Sequence, residues 1–328
     1  MILILSAEND EHIPPVVGEL ERRGAEYCWF DPALFPQKAA ISLSFFQRGG
    51  RKWTLKTNGK TVDLRAIEAV WYRRPGPANL DERVSDKDTR NWAHFEIREF
   101  LDGLYNSLSC LWVPGPPAIS FRAQPKMYHL ALAKEMGFTI PRTLVTSDPE
   151  ELVRFFDECR GNVISKPILL SSMTVAEKRY LAYTRQVNRR MLRRRHSLVH
   201  TPVIFQENVP KKVEIRANVI GDRVFTAEID SQATRHSQQD WRHYDIHYAT
   251  HSAHELPRSL SDLCVRYTKA LGLCNGAIDM ILTPAGEYVF LEINPFGQWL
   301  WLEIKAGLPL TEALVDLLVS GRNQASVH

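Results

Sequence analysis

Residues 276–295 read GAIDMILTPAGEYVFLEINP (Gly276 to Pro295), and this stretch decides how the chain is understood. Two apolar runs rich in β-formers flank a Thr283-Pro284-Ala285-Gly286 turn, the pattern of an antiparallel hairpin. If the hairpin is symmetric about Ala285 and Gly286, Asp279 lies directly opposite Glu292. Asn294, two residues further on, then points to the same side. Facing residues have Cβ atoms about 4.5–5.5 Å apart, and like charges so placed repel. A cation between them resolves the conflict. Three oxygen donors without sulfur or imidazole suit Mg²⁺, so Asp279, Glu292 and Asn294 are the candidate metal ligands. The plainer alternative is a pair of carboxylates at a solvated strand end. The apolar neighbours Ile278, Ile281, Phe290, Leu291 and Ile293 speak against it.

Upstream, VIFQENVPKKVEIRANVIGDR (Val203 to Arg223) reads as a strand into Gln206-Glu207-Asn208-Val209, a break at Pro210, a second strand, and a Gly221-Asp222 turn. On the second strand Glu214, Arg216 and Asn218 share one face, and Val213, Ile215, Ala217 and Val219 share the other. Taken alone, an alternating charged face reads as solvent-exposed. Two lysines gain meaning beside it: Lys126 opens a helix, and Lys166 ends a strand as Ile-Ser-Lys-Pro.

The rest of the chain supplies the frame. With 328 residues, two or three domains are expected. Hydrophobic residues make up 44% and charged residues 24%, which excludes a mostly disordered chain, a collagen and a disulfide miniprotein. The 41 basic and 38 acidic residues leave a net charge of +3, so any basic function has to be local. The five cysteines are scattered and never in CxxC spacing, which reads as free thiols in a reducing cytoplasm. No apolar run is long enough to span a membrane.

Ile2 to Leu5 is continuously apolar, as in a parallel strand buried on both faces. A helix is expected over Asn9 to Arg23 with a stripe at Val16, Val17 and Leu20, stopped by Gly24, before a strand from Glu26. Asn58-Gly59 marks a hairpin between Arg51 and Asp63, and Ala69 to Tyr72 is a further strand. Asp88 to Leu108 is expected to be helical with Trp92, Phe95, Phe100, Leu101 and Leu104 on one side. Without GxGxxG after the first strand, a dinucleotide site is not expected. Val113-Pro114-Gly115-Pro116-Pro117 is the clearest boundary. Helices follow over Pro125 to Met136 and Pro149 to Cys159. Beyond 203 the pattern is hairpins and one last helix, Leu310 to Leu318.

In combination, the helix-opening lysine, the strand-ending lysine, Gln-Glu-x-Val, Glu-Ile-Arg and Asp…Glu-x-Asn resemble the ATP-grasp superfamily over about 116–322. Glu207 and Glu214 stand seven residues apart, as do that family's adenine-edge and ribose-binding pair. Within the superfamily the chain is similar to the microviridin-type maturases, or graspetide synthetases. The similar stretches are FQENVPKKVEIRANVIGDRVFTAEIDSQ (205–232), Asp240-Trp241-Arg242, LGLCNGAIDMILTPAGEYVFLEINPFGQW (271–299), GLPLTEALVDLL (307–318) and WYRRP (71–75).

The resemblance implies an α/β (α+β) ATP-grasp fold with an N-terminal Rossmann-like pre-ATP-grasp domain. The expected boundaries are 1–115 for that domain, 116–203 for a central subdomain carrying the basic region 171–200, and 204–328 for the C-terminal subdomain with the nucleotide and Mg²⁺ site. It implies an ATP-dependent ligase that activates side-chain carboxylates of a ribosomally made precursor peptide, leader plus core. These would be joined to Ser/Thr hydroxyls or Lys amines. In that scheme Lys126 and Lys166 bind the nucleotide phosphates. Gln206, Glu207 and Val209 line the adenine edge, and Glu214 takes the ribose hydroxyls. Asp279, Glu292 and Asn294 hold Mg²⁺. Arg216 faces the transferring phosphoryl group, and with Lys166 forms the catalytic pair. The resembling enzymes are often dimers, which allows a homodimer here. Two other readings stay open: an ATP-grasp ligase acting on a free small substrate, and a non-catalytic nucleotide- or nucleic-acid-binding scaffold.

Many ATP-grasp enzymes cover the phosphates with a glycine-rich flap, but no glycine lies between Lys166 and Glu207; Ser171, Ser172 and Thr174 are the candidates there. The basic run 178–196 includes Arg185, Arg189, Arg190, Arg193, Arg194 and Arg195. It reads as a solvated face or, from the resemblance, as the leader-peptide site, with Arg189, Arg193 and Arg190 or Arg194 along one helix face. Nucleic acid is not needed to explain it. His243, His247, His251 and His254 are close together but sit in irregular or extended chain, where their spacing does not make a zinc site. Trp299 and Trp301 read as core residues or as walls of an acceptor cleft.

Overall fold

The computed structural model describes residues 1–47, 52–168, 183–230 and 250–321, with the backbone alone of 172–175 and 178–181. The chain opens with β1 (Ile2–Ser6), α1 (Ile13–Arg22) and β2 (Tyr27–Phe30). A separate antiparallel sheet of β3 (Ala40–Ser44), β4 (Lys52–Thr57) and β5 (Lys60–Asp63) follows, and then β6 (Ala69–Arg74), α2 (Lys87–Ser107) and β7 (Leu111–Val113). The order β2-β1-β6-β7 is parallel throughout. Ile2 to Leu5 are buried on both faces, as their unbroken apolar run requires. Asn58 and Gly59 turn the β4–β5 hairpin with φ of 50° and 73°, the left-handed pair of a type I′ turn.

The first helix starts at Ile13, not Asn9, because Pro14 and Pro15 are tolerated only in a first turn. On α2, Leu101, Leu104 and Tyr105 are buried, but Trp92 and Phe95 are 64% and 56% exposed. Phe95 instead lines a cavity of about 640 Å³ with Tyr72, Leu101 and Tyr105.

The middle of the chain runs α3 (Pro117–Arg122), α4 (Lys126–Met136), β8 (Thr143–Thr146), α5 (Pro149–Glu158), β9 (Val163–Lys166), β10 (Ser172–Val175), β11 (Lys178–Leu181), β12 (Arg185–Gln186), α6 (Arg189–Leu192) and β13 (Val203–Glu207). Gly137 ends α4 at φ 97°, and the Asp148 side chain accepts from Glu150 N at 2.8 Å to cap α5. Strands β12-β9-β13-β8 form an antiparallel sheet, over which α5 packs Leu152 and Phe155 against Val163 and Phe205. β10 and β11 pair as a separate hairpin.

The last part holds β14 (Val213–Ile220), β15 (Arg223–Ile229), β16 (His251–His254), α7 (Arg258–Ala270), β17 (Asn275–Leu282), β18 (Tyr288–Asn294), α8 (Leu300–Ala306) and α9 (Leu310–Ser320). The sheet order is β16-β15-β14-β17-β18, antiparallel. Helices α7 and α8 have no counterpart in the sequence reading. α7 buries Cys264, Tyr267 and Thr268 and packs Leu260, Leu263 and Val265 beside them. One face of the sheet (Ile215, Ala217, Val219, Ile278, Met280, Phe290, Ile293) packs under α4 and α7. Helix α9 instead packs on α1 and β1, binding the C-terminal end to the first sheet. Among the described residues no helix is long and apolar enough to cross a membrane.

The β17–β18 register contains a bulge. Near the turn Leu282 pairs with Tyr288 and Met280 with Phe290, but beyond it Asp279 pairs with Glu292 and Ala277 with Asn294. Phe290 and Glu292 would share a face in a regular strand. The extra residue, Leu291, reverses the alternation, so Phe290 enters the core while Glu292 faces the other way.

Phe290 is fully buried, with ring centroids 5.1 Å from both Phe138 and Tyr267. Phe290→Ala is expected to cost about 3–5 kcal/mol of stability, since the cavity it leaves lies beneath a sheet that cannot collapse freely. Denaturant unfolding measures this, and a loss below about 1 kcal/mol would contradict the packing described.

Candidate active site

The face of the β14–β17–β18 sheet turned away from α7 carries the polar residues. Glu214, Arg216 and Asn218 are 9%, 6% and 4% exposed, so the alternating charged face of β14 is buried and not solvated. Arg216 pairs across the sheet with Asp279. Its Nη1 donates to Asp279 Oδ1 at 2.9 Å and Oδ2 at 3.1 Å, and its Nη2 to Gln298 O at 3.4 Å. Glu292 sits opposite Asp279 as the hairpin reading requires, and its Oε2 lies 3.2 Å from Lys126 Nζ. Each acid thus has its own cation in contact.

Lys126 opens α4, and its Nζ also donates to Pro167 O at 3.4 Å, the residue after Lys166. The end of β9, the start of α4 and β18 therefore meet at one ammonium. Asn294 Oδ1 accepts from Phe296 N at 3.0 Å. Two carboxylates and an amide oxygen on neighbouring strand positions form an all-oxygen set suited to a hard divalent cation. Among the described residues no three His, Cys, Asp or Glu side chains converge, so a further ligand from these residues has to be an amide or a carbonyl.

Gln206 is buried on β13, with Nε2 donating to Thr143 Oγ1 at 3.0 Å. Glu207 ends that strand half-buried, with its N–H on Arg142 O at 2.9 Å; Val209 follows, also half-buried. Glu214 Oε1 accepts from Lys211 Nζ at 2.8 Å, both side chains 11% exposed.

The arginine run is not one helix. β12, the single turn α6 and a 3₁₀ segment Arg195–His200 divide it, and Leu198 and Val187 anchor it to the core. Arg185, Arg189, Arg190, Arg193 and Arg194 are exposed, whereas Arg195 bonds Glu150 at 3.2 Å. Ser171, His243, His247 and Asp240-Trp241-Arg242 lie outside the described residues, as do the side chains of Ser172 and Thr174. His254 bonds Glu228 at 3.0 Å and Tyr288 at 2.9 Å, a structural bridge. Trp299 is buried core, and Trp301 is partly buried beside His251.

Sequence reasoning missed a second polar cluster. Arg73 Nη1 and Arg74 Nη2 both donate to Phe296 O, at 2.8 and 2.9 Å. Arg73 Nε lies 3.2 Å from Asp10 Oδ2, an ion pair without hydrogen-bond alignment. His12 Nδ1 is 2.8 Å from Asp10 Oδ1. Burial raises the Asp10 carboxyl, but hydrogen bonds from His12 and the Arg73 charge outweigh it and hold its pKa at about 2. Burial and the Arg73 charge push His12 below its ordinary value against Asp10. Burial brings Arg73 down to about 10. The only signal was WYRRP, whose arginines carried no assigned task.

The first 119 residues match the family model of the MvdD pre-ATP-grasp domain. No curated protein matches the chain. Among solved structures it is similar to a RiPP-associated ATP-grasp ligase from Chryseobacterium gregarium, in complex with ADP and a leader and core peptide. The two are 31% identical with a TM-score of 0.91, over 97% of this chain and 96% of that one. The macrocyclase MdnC of Microcystis aeruginosa MRC, bound with precursor peptide MdnA, is 29% identical with a TM-score of 0.85, over 97% and 99%. The ATP-grasp ligase PsnB, complexed with a phosphomimetic variant of minimal precursor, Mg and ADP, is 25% identical with a TM-score of 0.76, over 98% of both chains. The chain belongs to the ATP-grasp ligases associated with ribosomally made, modified peptides. Within that family it is a microviridin-type, graspetide maturase.

A Cβ at Gly297 would stand 2.8 Å from Arg216 Nη2 and 2.7 Å from Ala277 Cβ. Gly297→Ala is therefore expected to displace the loop or the guanidinium and lower ligase turnover on the order of 10²-fold, with the fold retained. Turnover assays beside thermal melting check this; wild-type turnover would contradict the contact.

Proposed function

We propose that this ligase phosphorylates side-chain carboxylates of a ribosomal precursor peptide with ATP and joins them to Ser or Thr hydroxyls or Lys amines. The carrying observation is the buried polar face on which Arg216–Asp279 and Lys126–Glu292 meet beside the end of β9. The ligands named for the similar structures, ADP, Mg, and leader, core or minimal precursor peptides, support the same reading.

In this reading Lys126 and Lys166 bind the nucleotide phosphates as point charges. Lys126 leaves Glu292 when phosphate arrives. Because the Glu207 N–H is engaged in the sheet, the Glu207 carbonyl and the Val209 N–H face the adenine edge, with Gln206 behind them. Glu214 takes the ribose hydroxyls. Asp279, Glu292 and Asn294 hold Mg²⁺, which when bound neutralises phosphate charge. A peptide carboxylate oxygen attacks the γ-phosphorus and ADP leaves. The hydroxyl or amine then attacks the carbonyl carbon, and phosphate departs with the carboxylate oxygen and takes up the proton that the nucleophile loses. One water is lost from the peptide per bond. Arg216, with Lys166, stabilises charge on the transferring group.

Mass spectrometry of a precursor incubated with the enzyme and ATP tests the activity: water losses matched to ADP formation are expected, and an unchanged peptide contradicts it. Arg216→Ala is expected to lower turnover roughly 10²–10³-fold with nucleotide affinity kept, while Lys166→Ala chiefly weakens nucleotide binding. Calorimetry beside steady-state rates separates the two, and an intact rate in Arg216→Ala would refute its role.

The exposed Arg185, Arg189, Arg190, Arg193 and Arg194 are assigned to acidic residues of the leader. None of them makes an ion pair within the described residues. The guanidinium fork suits carboxylates, but exposed pairs contribute only about 0.2–1 kcal/mol each, so several have to act together. Leader affinity is expected to fall as salt rises. The triple reversal Arg189/Arg190/Arg193→Glu should abolish that salt dependence along with most of the binding. Unchanged leader affinity in this variant would leave the run a solvated surface.

A further inference from the structure

We propose that His12, Asp10 and Arg73 are positioning residues: a buried strut from the first sheet that fixes the loop 296–300 and, through it, Arg216. The inference rests on the reading of Arg216 as the side chain that meets the transferring phosphoryl group.

His12 immediately precedes α1, is 4% exposed, and faces the loop rather than solvent. Its Nε2 lies 3.2 Å from Trp299 N and 3.3 Å from Leu300 N. Both partners are donors, so Nε2 carries a lone pair and the ring is neutral. Its proton sits on Nδ1 and is donated to Asp10 Oδ1, which also accepts the His12 backbone N–H at 2.9 Å. Asp10 therefore sets the tautomer that lets His12 receive the first N–H groups of α8. The Trp299 ring closes against the imidazole edge-on at 4.9 Å.

Arg73 supplies the second point of attachment. It is 3% exposed, spans Asp10 Oδ2 and Phe296 O, and lays Nη2 within 3.5 Å of the imidazole. A guanidinium can keep a hydrogen bond to one group and an ion pair to another at a fixed separation, which an ammonium cannot. Arg74 adds a third contact, also on Phe296 O. The loop is thus pinned at 296, 299 and 300 by β6 and the β1–α1 turn. Between the pins, Gly297 and Gln298 O lie against Arg216 Nη2. A loop displaced by an ångström would move that guanidinium, and such a displacement lowers rates far more than it weakens nucleotide contacts held by β9, β13 and α4.

The test compares turnover and nucleotide dissociation constant for His12→Phe, His12→Gln, Arg73→Lys and Arg216→Ala in the full-length protein, with thermal melting as the folding control. His12→Phe keeps a ring and loses the acceptor. The Gln amide oxygen restores an acceptor that cannot be charged. Expected is a fall in turnover of roughly tenfold or more for His12→Phe and Arg73→Lys at unchanged nucleotide affinity, with His12→Gln recovering most of it. A merely structural role would lower the melting temperature without this split or this rescue. Should His12→Phe not fold, Arg73→Lys, which keeps the charge and the stem, carries the same expectation. Wild-type turnover in Arg73→Lys, or no recovery in His12→Gln, overturns the strut. If Arg216→Ala itself turns over normally, it is the reading of Arg216 that fails, whatever the other variants do.

Discussion

Two carboxylates on facing strand positions are the constraint around which this site is built. At about 5 Å and an effective dielectric of 20, two like charges repel by about 3 kcal/mol, more than an exposed ion pair returns. Asp279 and Glu292 coexist because Arg216 reaches one from the next strand and Lys126 reaches the other from the start of α4. The acids make the polar face of the sheet a place where cations from different parts of the chain converge. A bound nucleotide and metal would redistribute these contacts within the same charge balance.

The bulge at Leu291 reconciles this face with the core. Phe290 has to enter the cluster under α4 and α7, and Glu292 has to leave it two residues later. A regular strand allows one or the other. Placing an irregularity next to the functional side chain re-aims it without weakening the packing that holds the strand. From the opposite side the first sheet reaches over through Arg73, Arg74 and His12. The N-terminal part of the chain therefore bears directly on the loop after β18.

Much of this was legible in the residues. The facing of Asp279 and Glu292 follows from a turn signal and strand periodicity, and it is correct. The symmetric hairpin behind it would have set Phe290 opposite Ile281, whereas Phe290 pairs with Met280. A bulge has no dedicated residue type when it lies outside the left-handed region, so Leu291 gave no sign of it. The buried parallel strand at Ile2 and the Asn58-Gly59 hairpin were legible because one local pattern decides each. The arginine run was not, because its breaks come from Val187 and Leu198 turning inward, a tertiary demand that outweighs local helix propensity. His12 was invisible for a related reason: the N–H groups it accepts from lie nearly three hundred residues away in sequence, and Asp10 takes its role only through His12 and Arg73. On α2 the aromatic stripe suggested burial, but Trp92 and Phe95 lie beyond the part of the helix that the sheet can cover.

We propose that the facing acids Asp279 and Glu292 form the divalent-ion site of the nucleotide complex. Calorimetric titration of Mg²⁺ into the ADP-bound protein, wild type against Glu292→Ala, decides it. The substitution is expected to weaken Mg²⁺ binding roughly 10–100-fold or more while ADP alone still binds. Equal Mg²⁺ affinity in the two proteins would contradict it.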